Sequence, residues 1–279
     1  MSDLSGRTFL VTGGNTGIGR AAARDFAQQG GRVFVAARSR EKGEAAVASI
    51  VAETGNQDVT FLHLDLADLA SVRHCAEEFL ARGEPLHVLL NNAGVAGQRG
   101  LTRDGFEVTF GVNHLGHFAL TTALLERLAA SAPARVVTVS SDSHYQAPGI
   151  NFDALRRPAR GLTGLPEYAV SKLCNVLFSQ QLARRVADRG ITTYTLHPGV
   201  IASDIWRRVP WPVRPIMKRR MLSTEDGART SVYCATSPDV AADTGLFYDD
   251  CHEREPSRVA TADLAEALWK HSESWTAIP

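Results

Sequence analysis

Lysine is scarce in this chain: Lys42, Lys172, Lys218 and Lys270 are the only four among 279 residues. The 30 basic residues are matched by 30 acidic ones, which gives no footing for nucleic acid as a partner. Cysteine is sparse too. Cys75, Cys174, Cys234 and Cys251 lie far apart, with no C-x-x-C pair and no tight Cys/His group. That spacing speaks against a disulfide scaffold or a structural zinc site and fits reduced thiols. Long apolar runs are missing as well, and none approaches the roughly 18 residues of a membrane span. Met1 to Arg7 is short and polar, so a cytoplasmic protein without a targeting segment or membrane span is expected.

What the chain does have is alternation. Short β-rich apolar runs stand at Thr8–Thr12, Val33–Ala37, Val59–His63, Leu86–Leu90, Arg135–Ser140, Thr192–His197 and Gly245–Tyr248. Helical periodicity falls between them, near 17–29, 41–54, 68–81, 104–130, 167–189 and 224–236. This predicts an α/β fold: a doubly wound parallel sheet of about seven strands, with helices on both faces. No linker, repeat or low-complexity tract divides residues 1–279, so one domain is expected. Two irregular stretches, about 142–166 and 203–223, begin at strand carboxyl ends, where such sheets bind ligands.

The run Thr12-Gly13-Gly14-Asn15-Thr16-Gly17-Ile18-Gly19 follows the first strand and opens the first helix. Gly13 permits a tight turn, Gly17 lets backbone approach a ligand, and Gly19 lets helix pack on strand. The helix N-terminus then offers free N–H groups to a pyrophosphate. The second strand ends Val35-Ala36-Ala37-Arg38, with no carboxylate for the ribose hydroxyls of NAD. Arg38, helped by Arg20, can instead pair with a 2′-phosphate, so NADP(H) is expected in preference to NAD(H).

Tyr168 and Lys172 form Y-x-x-x-K; no other of the five tyrosines has a lysine four residues on. Positions i and i+4 share a helix face. An ammonium there, with the charge of an oxidised nicotinamide, favours the tyrosinate. Moving a tyrosine from about 10 to near 7 takes roughly 4 kcal/mol, and such a group can protonate a developing alkoxide. The fifth strand ends Val139-Ser140-Ser141, and a hydroxyl there can donate to a carbonyl oxygen. Ser140 is expected to bond its own strand's backbone. His114 and His117 lack a third ligand at sensible spacing and are expected to be structural, with no metal involved.

Glycines 13, 17 and 19 give T-G-x-x-x-G-x-G, and with Y-x-x-x-K the chain resembles the short-chain dehydrogenase/reductase family, in its compact single-domain branch. The sugar-nucleotide epimerase branch would place glycine where Thr16 stands. The resemblance covers nearly the whole chain and implies a Rossmann-type fold. It makes Ser141, rather than Ser140, the serine that orients the carbonyl, and Tyr168 the proton donor or acceptor. Lys172 then also holds the nicotinamide ribose, and Asn113, in Phe110-Gly111-Val112-Asn113-His114, bends its helix and anchors a water linked to that lysine. Cofactor contacts are implied at Gly13, Asn15, Thr16, Gly17, Ile18 and Gly19, and at Asp65 and Leu66 by the adenine. Asn92, Ala93 and Gly94 of N-N-A-G are implied too, as are Pro198, Gly199, Val200 and Ser203 beside the nicotinamide. Copies of family members often pair through the long helices near 104–130 and 167–189.

Asn151-Phe152-Asp153 and the ending Thr244 to Cys251 resemble the retinol dehydrogenase-like group, which reduces retinal and other lipophilic aldehydes with NADPH. Many relatives in that group carry an N-terminal membrane anchor. The expectation is an NADP(H)-dependent carbonyl reductase or alcohol dehydrogenase acting on a small lipophilic molecule. A non-catalytic NADP(H)-binding sensor or scaffold is the alternative, but it has no use for a Tyr/Lys/Ser set. Between Asp204 and Leu222, apolar residues such as Trp206 and Trp211 interleave with Arg207, Arg208, Arg214, Lys218, Arg219 and Arg220. That segment is expected to cover the substrate, either as a lid with a solvated basic face or as the wall of a lipophilic pocket whose basic face meets an anionic membrane surface.

Overall fold

The computed structural model describes residues 3–159, 161, 163–199 and 223–277. Val200, Ser203 and the 204–222 segment with its basic and aromatic residues lie outside that range.

The central strands are buried along their length because both faces of the sheet are covered. β1 (Thr8–Thr12) and β5 (Ala134–Val139) are buried at every position, and β2 (Arg32–Ala37) at all but its first. With β3 (Val59–His63), β4 (Val88–Asn91), β6 (Ile191–His197), β7 (Leu246–Asp249) and β8 (His252–Glu253) they form one sheet in the order β3-β2-β1-β4-β5-β6-β7-β8. The sheet thus has eight strands, one more than the periodicity predicts, because a two-residue strand is too short to show a pattern. The first seven are parallel and β8 returns antiparallel on β7. The strand order reverses between β1 and β4, which opens a crevice at their carboxyl ends.

Helix α1 (Gly17–Gln28) packs on one face of the sheet in a cluster with Phe26, Val11, Val137 and Cys234. α2 (Arg40–Thr54) contributes Ile50 to that face. α3 (Leu69–Ala81) covers the other face, where Phe79, Phe118, Phe178 and Trp269 meet.

The long helix expected near 104–130 is segmented. It comprises α4 (Val108–Phe110), a π turn (Gly111–Leu115), α5 (Gly116–Ala123) and α6 (Leu125–Ala130). Then follow α7 (Leu165–Arg185), α8 (Thr224–Thr236) and α9 (Ala262–Thr276). α9 is absent from the periodicity reading. It buries Ala265, Leu268, Trp269 and Ser272, a helical spacing whose last member is polar. The stretch 142–166 carries two 3-10 turns, Asp142–Gln146 and Phe152–Arg156. No described helix is long and apolar enough to cross a membrane.

Candidate active site

The glycine turn and the loop after β4 are interlocked. Gly13 (φ 66°) and Gly17 (φ 56°) adopt the left-handed backbone that favours glycine. A side chain at Gly19 would collide with the Asn92 amide and the Gly13 carbonyl, whereas one at Gly17 would meet open space. Gly19 is therefore required by packing and Gly17 by backbone conformation, with room left above it. Asn92 Nδ2 donates to the Thr12 carbonyl at 2.8 Å, and the Asn92 and Ala93 N–H groups donate to Thr12 Oγ1 at 2.9 and 3.0 Å.

Helices α2, α3, α8 and α9 are each capped by a side chain, namely Ser39, Asp68, Ser223 and Thr261. α1 is not: Thr16 makes no capping bond and the first turn holds no acid. Its free N–H groups and partial positive charge suit a pyrophosphate.

Arg38, directly after β2, is exposed and has no ion-pair partner among the described residues. Arg20 does not assist it. Its guanidinium is held by Ser49 Oγ at 2.8 Å and by Glu53, so tertiary pairing with α2 has claimed it. Asp65 is half-buried, with Oδ1 accepting from Ala67 N at 3.0 Å, and buried Leu66 packs against Gly116. Pro198 and Gly199 follow β6 directly.

Lys172 lies at the bottom of the crevice, 3 % exposed. Its Nζ donates to the Val139 carbonyl at 2.9 Å and lies 5.6 Å from the centre of the Tyr168 ring. A Cβ on Gly94 would be 3.3 Å from Asn113 Oδ1 and 3.6 Å from Lys172 Nζ, so asparagine and lysine face one point across that glycine. The Asn113 side chain is fully engaged elsewhere: it bonds both the N–H and the carbonyl of Val95 and donates to Ser171 Oγ at 2.9 Å. Ser171 in turn donates to the Tyr168 carbonyl at 2.8 Å. The asparagine thereby ties the loop after β4 to the helix that carries the tyrosine.

Burial drives Lys172 down from 10.5 to about 7. Burial also pushes the half-buried Tyr168 upward, and a hydrogen bond with Ser141 pulls it back. Among the chain's own groups, Ser141 opposes that upward push on the tyrosine. Ser140 does not bond its own strand; its Oγ donates to the Lys172 carbonyl at 2.7 Å and fixes α7 to β5.

His114 and His117 are buried singly. His117 Nδ1–H donates to the Asn113 carbonyl (3.0 Å), which leaves Nε2 to accept from Thr12 Oγ1 (2.9 Å). His114 Nε2 contacts Ser272 Oγ at 2.9 Å. Among the described residues no group of three or more His, Cys, Asp or Glu is placed to hold a metal. A groove of about 940 Å³ beside β7, lined by Tyr145, Gln180, Phe247 and Arg254, shares no residue with the Tyr168 crevice.

The turn, the reversed strand order and the Tyr/Lys/Ser/Asn convergence form one dinucleotide-type crevice. Residues 7–154 match the family model described as short chain dehydrogenase. The chain belongs to that family. The mouse protein named Retinol dehydrogenase 12 is 44 % identical over 277 residues, covering 96 % of this chain and 86 % of the relative. Human Retinol dehydrogenase 11 is 43 % identical over 273 residues, covering 95 % and 84 %. An uncharacterized protein from Mycobacterium paratuberculosis has TM-score 0.79 at 34 % identity, covering 99 % of this dehydrogenase and 95 % of its own chain. A short chain dehydrogenase from Burkholderia cenocepacia J2315, solved in complex with NADP, has TM-score 0.70 at 27 % identity, covering 89 % and 97 %. The dehydrogenase is thus an oxidoreductase of the CH–OH/carbonyl type that uses a nicotinamide cofactor.

Proposed function

We propose that this dehydrogenase is an NADP(H)-dependent carbonyl reductase/alcohol dehydrogenase whose substrate is a lipophilic aldehyde, ketone or alcohol. The observation that carries the coenzyme assignment is Arg38: exposed, without an ion-pair partner among the described residues, and standing where an acid would repel a 2′-phosphate. Gly13, Asn15 to Gly19, Asp65, Leu66, Asn92 to Gly94, Pro198 and Gly199 would hold the dinucleotide. Bound NADP(H) supplies or takes up the hydride.

In this proposal Ser141 Oγ donates a hydrogen bond to the substrate oxygen, and Tyr168 gives that oxygen a proton or removes one. Lys172 holds the ribose and biases the tyrosine. Asn113 keeps the loop after β4 and α7 in register. Support for a lipophilic substrate comes from the relatives' names and from Leu165, exposed three residues before Tyr168. The free state of all four cysteines supports a cytoplasmic setting.

The test is NADPH oxidation across a panel of straight-chain aldehydes and ketones. Efficiency is expected to rise with chain length by up to ~0.8 kcal/mol per buried methylene. A flat profile overturns the lipophilic substrate, and equal use of NADH overturns the coenzyme preference.

A further inference from the structure

The peptide joining Ser141 to Asp142 is held from both sides by imidazoles. Its carbonyl accepts from His144 Nδ1 at 2.7 Å and from the His144 backbone N–H at 3.0 Å. Its N–H donates to His197 Nδ1 at 3.3 Å. The two histidines come from different elements. His144 belongs to the 3-10 turn after β5, and His197 is the last residue of β6. Both are buried, at 0 % and 8 % exposure.

Hydrogen-bond logic fixes the tautomers. A carbonyl only accepts, so the His144 proton is on Nδ1, and its bare Nε2 accepts the Ser257 N–H at 3.1 Å. An amide N–H only donates, so His197 Nδ1 is bare and its proton is on Nε2, 3.8 Å from the Asp142 carboxylate. Each ring is therefore neutral, and the two carry opposite tautomers. We propose that His144 and His197 clamp the Ser141–Asp142 peptide in the geometry that aims the serine hydroxyl at the substrate, and that carbonyl reduction fails on the acid side when His197 gains a second proton. The proposal rests on the assignment of Ser141 as the carbonyl-orienting serine.

A second proton on His197 must land on Nδ1, hydrogen against the Asp142 N–H; on His144 it lands on Nε2, against the Ser257 N–H. The first breaks a bond of the clamp itself; the second breaks only the bond to Ser257 and leaves Nδ1–H of His144 on the Ser141 carbonyl. For His144, burial opposes protonation most, and Arg254 and His197 also oppose it, while the bond to the Ser141 carbonyl and Asp142 favour it. For His197, burial, Arg254 and Lys172 oppose protonation, and Asp142 and Asp249 favour it. Tyr145, whose ring lies tilted against His144 with centroids 3.9 Å apart, donates to the Glu255 carbonyl. Burial prevails, and both rings titrate below the ordinary 6.5.

His197 and Ser141 variants test the clamp through kcat and KM for NADPH oxidation, measured against an aldehyde from mildly acidic to neutral pH. In His197→Asn, Oδ1 takes the place of the Nδ1 acceptor and cannot titrate. It is expected to hold kcat within about threefold at neutral pH and to carry the acid limb further down. His197→Phe is expected to lower kcat by at least about tenfold with KM for NADPH nearly unchanged. Imidazole ¹⁵N shifts are expected to show Nδ1–H for His144 and Nε2–H for His197. A wild-type acid limb in His197→Asn, full kcat in His197→Phe, or the opposite tautomers overturns the clamp. Where His197→Phe shows no cooperative melt, the His197→Asn profile and the ¹⁵N shifts decide alone. Ser141→Ala run in parallel separates the two layers: if it retains activity, the assignment of Ser141 fails. If it is inactive while the histidine variants match wild type, only the clamp fails.

Discussion

At the scale of single residues, the site is built from groups held in costly states. Tyr168→Phe is expected to remove at least about 2–3 kcal/mol of transition-state stabilisation, read in kcat/KM, with NADPH affinity preserved. Turnover close to wild type would remove Tyr168 from the chemistry. Arg38→Ala is expected to weaken NADP(H) by about 1.5–3 kcal/mol and to leave NAD(H) nearly untouched, as judged by fluorescence titration of both coenzymes. Lys172 carries a different expectation. Its folded pKa of about 7, against 10.5 when solvated, means that the folded chain resists its charge at neutral pH. Asn175 Nδ2 also reaches the Val139 carbonyl, at 3.1 Å, so Lys172→Met leaves that acceptor satisfied. The variant is expected to be inactive yet more stable by about 1–3 kcal/mol in urea melts at pH 7. A loss of stability would mean that the lysine is anchored by more than the Val139 bond.

Among the elements, α1 has an uncapped N-terminus at the glycine turn, whereas α2 and α3 on either face of the same half of the sheet are capped. Thr16→Asp would supply an N-cap and a favourable charge, worth about 0.5–2 kcal/mol of stability. The same carboxylate would stand against a pyrophosphate, so the melting temperature is expected to rise while dinucleotide affinity falls. If both rise, the α1 N-terminus is not the phosphate site. The same element-level view explains what could be read in the sequence. The glycine turn and Y-x-x-x-K are legible because their members lie within eight and five residues of one another, at spacings that local geometry sets. α9 escapes that kind of reading because Ser272 occupies a core position. It does so through a hydrogen bond to His114, 158 residues away, and no pattern of apolar residues reports such a partner. Arg20 was open to assignment as a phosphate contact for the same reason, since its claim by Glu53 crosses from one helix to the next. His144 and His197 are 53 residues apart, and only the pairing of β5 with β6 brings them to one peptide.

For the whole molecule, buried neutral imidazoles set the response to acid. His114 and His117 are each 1 % exposed, and burial holds them at about 3 and about 4, against 6.5 when solvated. The unfolded chain therefore binds more protons below 6.5, and the stability present above 6.5 is lost as pH falls toward the folded values. The loss is about 1.4 kcal/mol per pH unit for each ring. Chemical denaturation midpoints measured from pH 7.5 down to pH 5 are expected to fall with a slope near two protons, more steeply once His144 and His197 join. A flat profile would show that these rings find compensation on protonation.

The short antiparallel return of β8 on β7 has a consequence for how molecules meet one another. An open parallel edge offers unpaired amides and carbonyls to any passing strand, which is a template for fibre growth. Here a two-residue strand, doubled back through Asp250 and Cys251, occupies that edge, with His252 and Glu253 exposed on its outer side. The left-handed φ values of 49° and 63° at those two turn residues are what allow so tight a reversal. Loosening that reversal would leave the folded core intact but give concentrated solutions of the enzyme a route to sticking edge to edge.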